Sequence, residues 1–192
     1  MTRLPLTLLM LLLIGACMGS PQASFYTLRS EPLERSIDSD EQFAIAIESV
    51  TVPDIVDRPQ LVLRVSNTQV RIDEFARWAE PLKSQIADTM AADLARQFPN
   101  ALVSSAAQLT GKSTFHVYID VQTLESTPGD AVSVTVLWSV RASKQGGTIS
   151  GKSVVREPTD GPGYDALVAA HSRALASVSS DIAGAIVSGL RK

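Results

Sequence analysis

Phe115-His116-Val117-Tyr118-Ile119-Asp120-Val121-Gln122, the run from Ala131 to Ala142 and the run from Thr148 to Arg156 are strand-like stretches. Only short segments, which include Pro128-Gly129-Asp130 and Gln145-Gly146-Gly147, separate them. Connections that short join antiparallel neighbours, because a parallel connection needs a crossover of about a dozen residues or more. Working outward, Tyr164 to Leu190 is a long Ala/Ser-rich helix with Leu167, Leu175, Val178, Ile182 and Ile186 directed inward. Its small residues permit close packing on a sheet. Upstream, Leu82, Ile86, Met90, Leu94 and Phe98 recur every four residues, one face of a helix. Pro81 suits its first turn, where a missing N–H costs nothing, and Pro99 follows its end. Phe25–Leu28 reads as a short strand, Arg29 to Gln42 as a charged solvated loop, and Phe43–Val52 as a central strand ended by Pro53. Leu61–Val65 and Gln69–Ile72 flank Ser66-Asn67-Thr68 as a hairpin. Two helices and six or seven strands in consecutive runs predict an α+β fold: a mainly antiparallel sheet with both long helices packed on one face.

The composition narrows the functions this fold can carry. Seventeen Lys+Arg against 20 Asp+Glu give a net charge of −3, so the basic stripe needed to hold phosphate backbones is missing and nucleic acid is excluded as a partner. A single cysteine, Cys17, excludes an internal disulfide framework and multi-cysteine metal clusters. His116 and His171 have no second His, Cys or paired carboxylate at ligand spacing in the sequence, so both are read as structural or surface residues with no metal site. No Gly-x-Ser-x-Gly elbow is present, and no catalytic residue is assigned.

The mean hydropathy of +0.12 is high for a soluble domain, and much of the excess lies in the leader. Arg3 is followed by Leu4 to Ile14, an uncharged run whose helical length is roughly 16 Å, about half of a hydrocarbon core. That is a signal h-region. Gly15-Ala16 then runs into Cys17, which resembles the lipobox of bacterial lipoproteins. The resemblance implies cleavage between Ala16 and Cys17, a diacylglycerol on the thiol and an acyl chain such as palmitate on the freed amine. It also implies the outer membrane as destination, since Met18 stands where inner-membrane retention signals carry Asp. No other cofactor is expected. Residues 1–16 are then a signal peptide, 17–24 a lipidated tether of small and polar residues, and 25–192 a single domain.

Gly146-Gly147-Thr148-Ile149-Ser150-Gly151-Lys152-Ser153 satisfies the phosphate-loop pattern letter for letter. A working phosphate loop opens a helix whose amides face the phosphates. Here Val154-Val155 and then Pro158 leave no room for one, so the stretch is a Gly-Gly turn entering a strand, with no nucleotide site.

Val52-Pro53-Asp54-Ile55-Val56-Asp57-Arg58-Pro59-Gln60-Leu61 and Glu74-Phe75-Ala76-Arg77-Trp78-Ala79-Glu80-Pro81-Leu82 stand out from the rest. Two readings fit the residues. One is local structure: a turn pinned by an Asp–Arg pair, with Trp78 docked under the following helix. The other is a partner-binding surface of Pro53, Asp54, Asp57, Arg58, Pro59, Arg77, Trp78, Glu80 and Pro81, since Trp and Arg are enriched at interface hot spots.

The lipobox, Phe25-Tyr26-Thr27-Leu28, the run from Val52 to Arg64 and Phe75-Ala76-Arg77-Trp78-Ala79-Glu80-Pro81-Leu82, in that order, resemble the PqiC/YmbA-type ABC-transport auxiliary lipoproteins. The resemblance implies a periplasm-facing, outer-membrane-anchored lipoprotein that docks or stabilises an MCE-domain protein of an intermembrane lipid transport system. A ring-like homo-oligomer would match the circular symmetry of such a partner. Two alternatives stay open on the residues alone: a periplasmic lipid carrier, and a pilotin-like assembly lipoprotein of another envelope machine.

Overall fold

The computed structural model describes residues 22–32, 36–37, 42–106, 113–143 and 147–190. The expected signal peptide, Cys17 and most of the expected tether lie outside them. Eight strands and two helices follow in order: β1 (Ser24–Tyr26), β2 (Ala44–Thr51), β3 (Gln60–Arg64), β4 (Val70–Trp78), α1 (Leu82–Gln97), β5 (Leu102–Ser104), β6 (Thr114–Thr127), β7 (Ala131–Ala142), β8 (Thr148–Pro158) and α2 (Tyr164–Leu190).

The three-strand meander forms as its turns require. β6 pairs antiparallel with β7 and β7 with β8. Gly129 sits in the first turn at φ 72°, a conformation that favours glycine. Val132, Val134, Val136 and Val140 of β7 are buried while Leu137 and Arg141 are exposed, the two-residue alternation of a sheet covered on one side. α2 packs on β6, β7 and β8, α1 packs on β2 and β5, and the helices touch each other. The expected helical stripes supply this layer: Leu82, Ile86, Met90, Leu94 and Phe98 of α1, and Leu167, Leu175, Val178, Ile182 and Ile186 of α2, are all buried. Burial of each such side chain contributes roughly 1.5–3 kcal/mol.

The α+β expectation holds, with details that turn periodicity does not carry. The strands form two sheets, ordered β5-β2-β6-β7-β8 and β1-β4-β3. β2 is internal, as expected, but it pairs parallel with both neighbours. Between β2 and β5 the chain makes the β3–β4 hairpin and α1, long enough to return in the same direction. β5 was not anticipated. The expected hairpin forms, closed by Val65 N–H donating to Gln69 O at 2.9 Å, but it builds the second sheet. That sheet adjoins β6 through β3, and Arg64 meets Glu125 at 2.5 Å across the junction. The Arg29–Gln42 connection is not wholly solvated: Arg29 N–H donates to Ser172 Oγ at 3.1 Å, and Ile37 N–H to Gln97 O at 2.6 Å.

The phosphate-loop pattern dissolves into packing. Thr148–Ser153 is β8 strand, with no helix after it. A Cβ on Gly151 would lie 2.2 Å from Cζ2 of Trp138, so the glycine is the seat of that indole. Trp138 Nε1–H donates to Ser153 Oγ at 3.0 Å, and the Ser153 hydroxyl donates to Asp181 of α2 at 2.5 Å.

Candidate functional site

The two singled-out segments meet around the start of α1. Pro53 O accepts from the amides of Val56 (3.0 Å) and Asp57 (3.2 Å), and Val56 O accepts from Arg58 N–H (2.9 Å). Pro53 presets this turn, and buried Val52 and Val56 anchor it. Pro59 O then accepts from Trp78 N–H at 2.7 Å, which fastens the second segment to the first. No Asp–Arg ion pair pins the turn among the described residues. Asp57 instead meets Lys83 of α1 at 2.6 Å, because the turn lies against the helix start, and Arg58 is left half-buried with an unpartnered Nε. Arg77 turns back on its own strand: its Nε–H donates to Glu74 O at 2.8 Å.

Trp78 corrects the partner-surface reading. It is 5% exposed, and its ring meets His171 of α2 edge-on, centroids 5.6 Å apart. A residue so enclosed offers no hot spot to a partner. Its neighbours are equally occupied. Gln85 of α1 is buried, donates through Nε2 to Glu80 O at 2.9 Å and accepts Leu28 N–H on Oε1 at 2.8 Å, so it ties the exit of β1 to the helix start. Pro81 holds the N-cap of α1, and Pro81 O accepts from Gln85 N–H at 3.1 Å. What remains at the surface is acidic and proline-rich: Asp54, Asp57, Pro59, Glu80 and Pro81, with Pro53 half-buried beside them.

Between the helices lies a polar seam. His171 is buried, donates from Nδ1 to Leu167 O at 2.9 Å and accepts the Ser126 hydroxyl on Nε2, also at 2.9 Å. Burial lowers its pKa to about 4, so it is neutral, in keeping with a structural role. Asp93 of α1 is 0% exposed, and burial pushes its carboxyl up to about 6, although Ser30 and Ser179 pull the other way. Gln85, Thr89, Asp93 and Gln97, each one residue before or after an apolar stripe position, are all buried. Their own four-residue repeat was the signal that could have exposed this seam. In the small sheet, Asp73 accepts the Tyr164 hydroxyl and the amides of Phe75 (2.9 Å) and Ala76 (3.1 Å), which hold its carboxyl below the usual range.

On the open face of the large sheet, the structure supplies a carboxylate that sequence spacing hid from His116. Glu48 is the extra residue of a bulge in β2, opposite β6, and its Oε1 lies 2.5 Å from His116 Nδ1; Ser143 Oγ lies 2.8 Å from Nε2. The order serine, imidazole, carboxylate is that of a nucleophilic relay. Ser143 N–H is committed to Thr114 O at 2.9 Å, and the three side chains clasp β2, β6 and the end of β7 together. Beside it a shallow concavity of about 640 Å³ is lined by Ser49, Thr51, Tyr118, Asp120, Leu137 and Ser139. Among the described residues no three His, Cys, Asp or Glu side chains gather as a metal site.

Residues 26–183 match the family described as ABC-type transport auxiliary lipoprotein component. The chain belongs to that family. The matched stretch runs from β1 into α2, so both sheets and both helices are part of the auxiliary-lipoprotein unit. The chain is also 28% identical over 114 residues to the intermembrane transport lipoprotein PqiC of Escherichia coli (strain K12) and to its Shigella flexneri counterpart. That alignment takes in 59% of this chain and 61% of each relative, so it spans less than two thirds of the relatives' length. Among solved structures, one titled as an uncharacterized protein has a TM-score of 0.72 at 26% identity, covering 86% of this chain and 99% of that one. A Xanthomonas campestris protein has a TM-score of 0.60 at 17% identity, covering 84% and 93%, and shares the fold of this auxiliary lipoprotein. The family expectation read from Phe25–Leu28, Val52–Arg64 and Phe75–Leu82 is therefore met.

Proposed function

We propose that this auxiliary lipoprotein is anchored through acyl chains on Cys17 to the periplasmic side of the outer membrane. There it docks or stabilises the periplasm-spanning MCE-domain partner of an intermembrane lipid transport system. The observation that carries the reading is the family match over residues 26–183, reinforced by the likeness to proteins named intermembrane transport lipoproteins. Several acyl chains on one residue hold a protein stably at a bilayer, whereas one chain does so only marginally. A mildly acidic chain has little charge attraction to anionic lipid, so attachment falls to the anchor.

The role is placement rather than chemistry, and we assign it no catalytic step. The turn at Pro53–Pro59 with Glu80 and Pro81 is the contact surface best suited to a basic partner segment, since Asp54 and Glu80 are exposed around rigid prolines, while Asp57 is already paired with Lys83. A ring-like homo-oligomer would suit a partner of circular symmetry. Two measurements test the reading. Cys17→Ala should move the protein from the membrane to the soluble envelope fraction; unchanged membrane association sinks the anchor. Co-purification from detergent-solubilised envelopes should recover an MCE-domain protein, and repeated recovery of other machinery alone sinks the partner.

A further inference from the structure

We propose that the open face of the three-stranded sheet rests on the surface of the bilayer that holds the anchor. The inference depends on the reading that Cys17 is lipidated. From Cys17 to Ser24, the first residue of β1, the chain has seven residues, which extended reach at most about 25 Å. β1 is therefore the element held closest to the membrane.

The register identifies the face it offers. Phe25 pairs with Arg77 and Arg77 with Gln60, while Val62, two residues on from Gln60, pairs with Ile72, so Phe25 and Ile72 point the same way, with half-buried Val62, which also packs against the core, between them. The opposite side carries Tyr26, Trp78, Leu61 and Leu63 against the helices. Between Arg77 and Asp73 the register jumps, and the extra residues of β4 bulge out with Phe75, which is 48% exposed. Of the eight exposed large apolar residues among the described residues, five belong to this small sheet and its loops: Phe25, Ile55, Val65, Ile72 and Phe75. The large sheet's open face is instead polar, with Leu137 and Val154 isolated among hydroxyl and charged groups. Of the arginines on these strands, Arg64 is paired with Glu125 and Arg77 with Glu74, so the face offers apolar side chains rather than free positive charge. Exposed apolar side chains gathered on one face at the end of a short lipid tether are the chemistry of a lipid surface.

The test uses full-length lipoprotein reconstituted into phosphatidylethanolamine–phosphatidylglycerol vesicles that contain doxyl-labelled acyl chains. With Cys17 occupied by lipid, an introduced thiol is the sole labelling site, so Phe25→Cys, Ile72→Cys, Leu137→Cys and Val154→Cys can each carry one environment-sensitive fluorophore. Labels at 25 and 72 should be quenched roughly twofold or more strongly than those at 137 and 154. Equal quenching at all four positions, or stronger quenching at 137 and 154, overturns the proposal while leaving the anchor intact. Failure of the protein to co-sediment with vesicles overturns the anchor and, with it, this face.

Discussion

The two sheets share one helical layer but dispose of their apolar residues in opposite ways. In β7 of the five-stranded sheet burial alternates: Val132, Val134, Val136 and Val140 are buried, and mostly polar or charged groups populate the other side. In the three-stranded sheet both sides keep apolar residues, Leu61, Leu63 and Trp78 inward and Phe25 and Ile72 outward. The first pattern is what burial on one side demands. The second departs from it at the end of the chain where the tether joins, and a departure of that kind marks a surface with a use.

The comparison can be broken most severely inside the shared layer. Ile182→Ala, on the buried side of α2 and fully enclosed, should cost about 2–5 kcal/mol by urea denaturation. A cost close to zero would mean that the helix does not clamp the large sheet. Next comes the Trp138 seat. Gly151→Ala should cost about 1–3 kcal/mol, and far less in a Trp138→Leu background; equal costs in both backgrounds would deny the contact.

The polar seam sharpens the comparison through pH. As pH falls through 6.5, the unfolded chain protonates its histidine while His171, at about 4, stays neutral, so stability drops between pH 6.5 and 4 by up to about 1.4 kcal/mol per unit. Asp93, at about 6 against an ordinary 3.8, takes up its proton in the folded state first, so its contribution rises as pH falls through the same window. The two nearly cancel. Asp93→Asn should therefore raise stability at pH 8 by about 1–3 kcal/mol and leave a profile that declines steadily on acidification; a profile as level as that of the parent protein would contradict this pairing. The smallest effect belongs to the outer side of the small sheet. Phe25→Ser should change stability by less than about 0.5 kcal/mol, and a larger loss would make Phe25 a core residue.

How much of this was legible depends on the range over which each interaction acts. Pro128-Gly129-Asp130 dictates its turn within a few residues, and the every-fourth-residue stripe from Leu82 to Phe98 needs only its own helix, so both read directly from the chain. The parallel pairing of β2 with β6 joins residues about 70 positions apart, and local turns say nothing about it. The same distance concealed Glu48 from His116. Trp78 was legible as an anchor, but its docking partner was not. His171, the ring it meets, lies on α2, about 90 positions further along the chain.

By itself the sequence determined the element types, the antiparallel meander, the two buried helical stripes, the family resemblance and the expectation of an anchor at Cys17. These rest on periodicity, turn chemistry and short motifs, all of which act along the chain. Only the tertiary structure decided that there are two sheets, that Trp78 is sealed, that Gly151 and Ser153 serve an indole instead of a phosphate, and that the outward apolar side chains gather where the tether begins. Those outcomes depend on which faces are left over once the helical layer has covered the others, a property of the packed molecule alone.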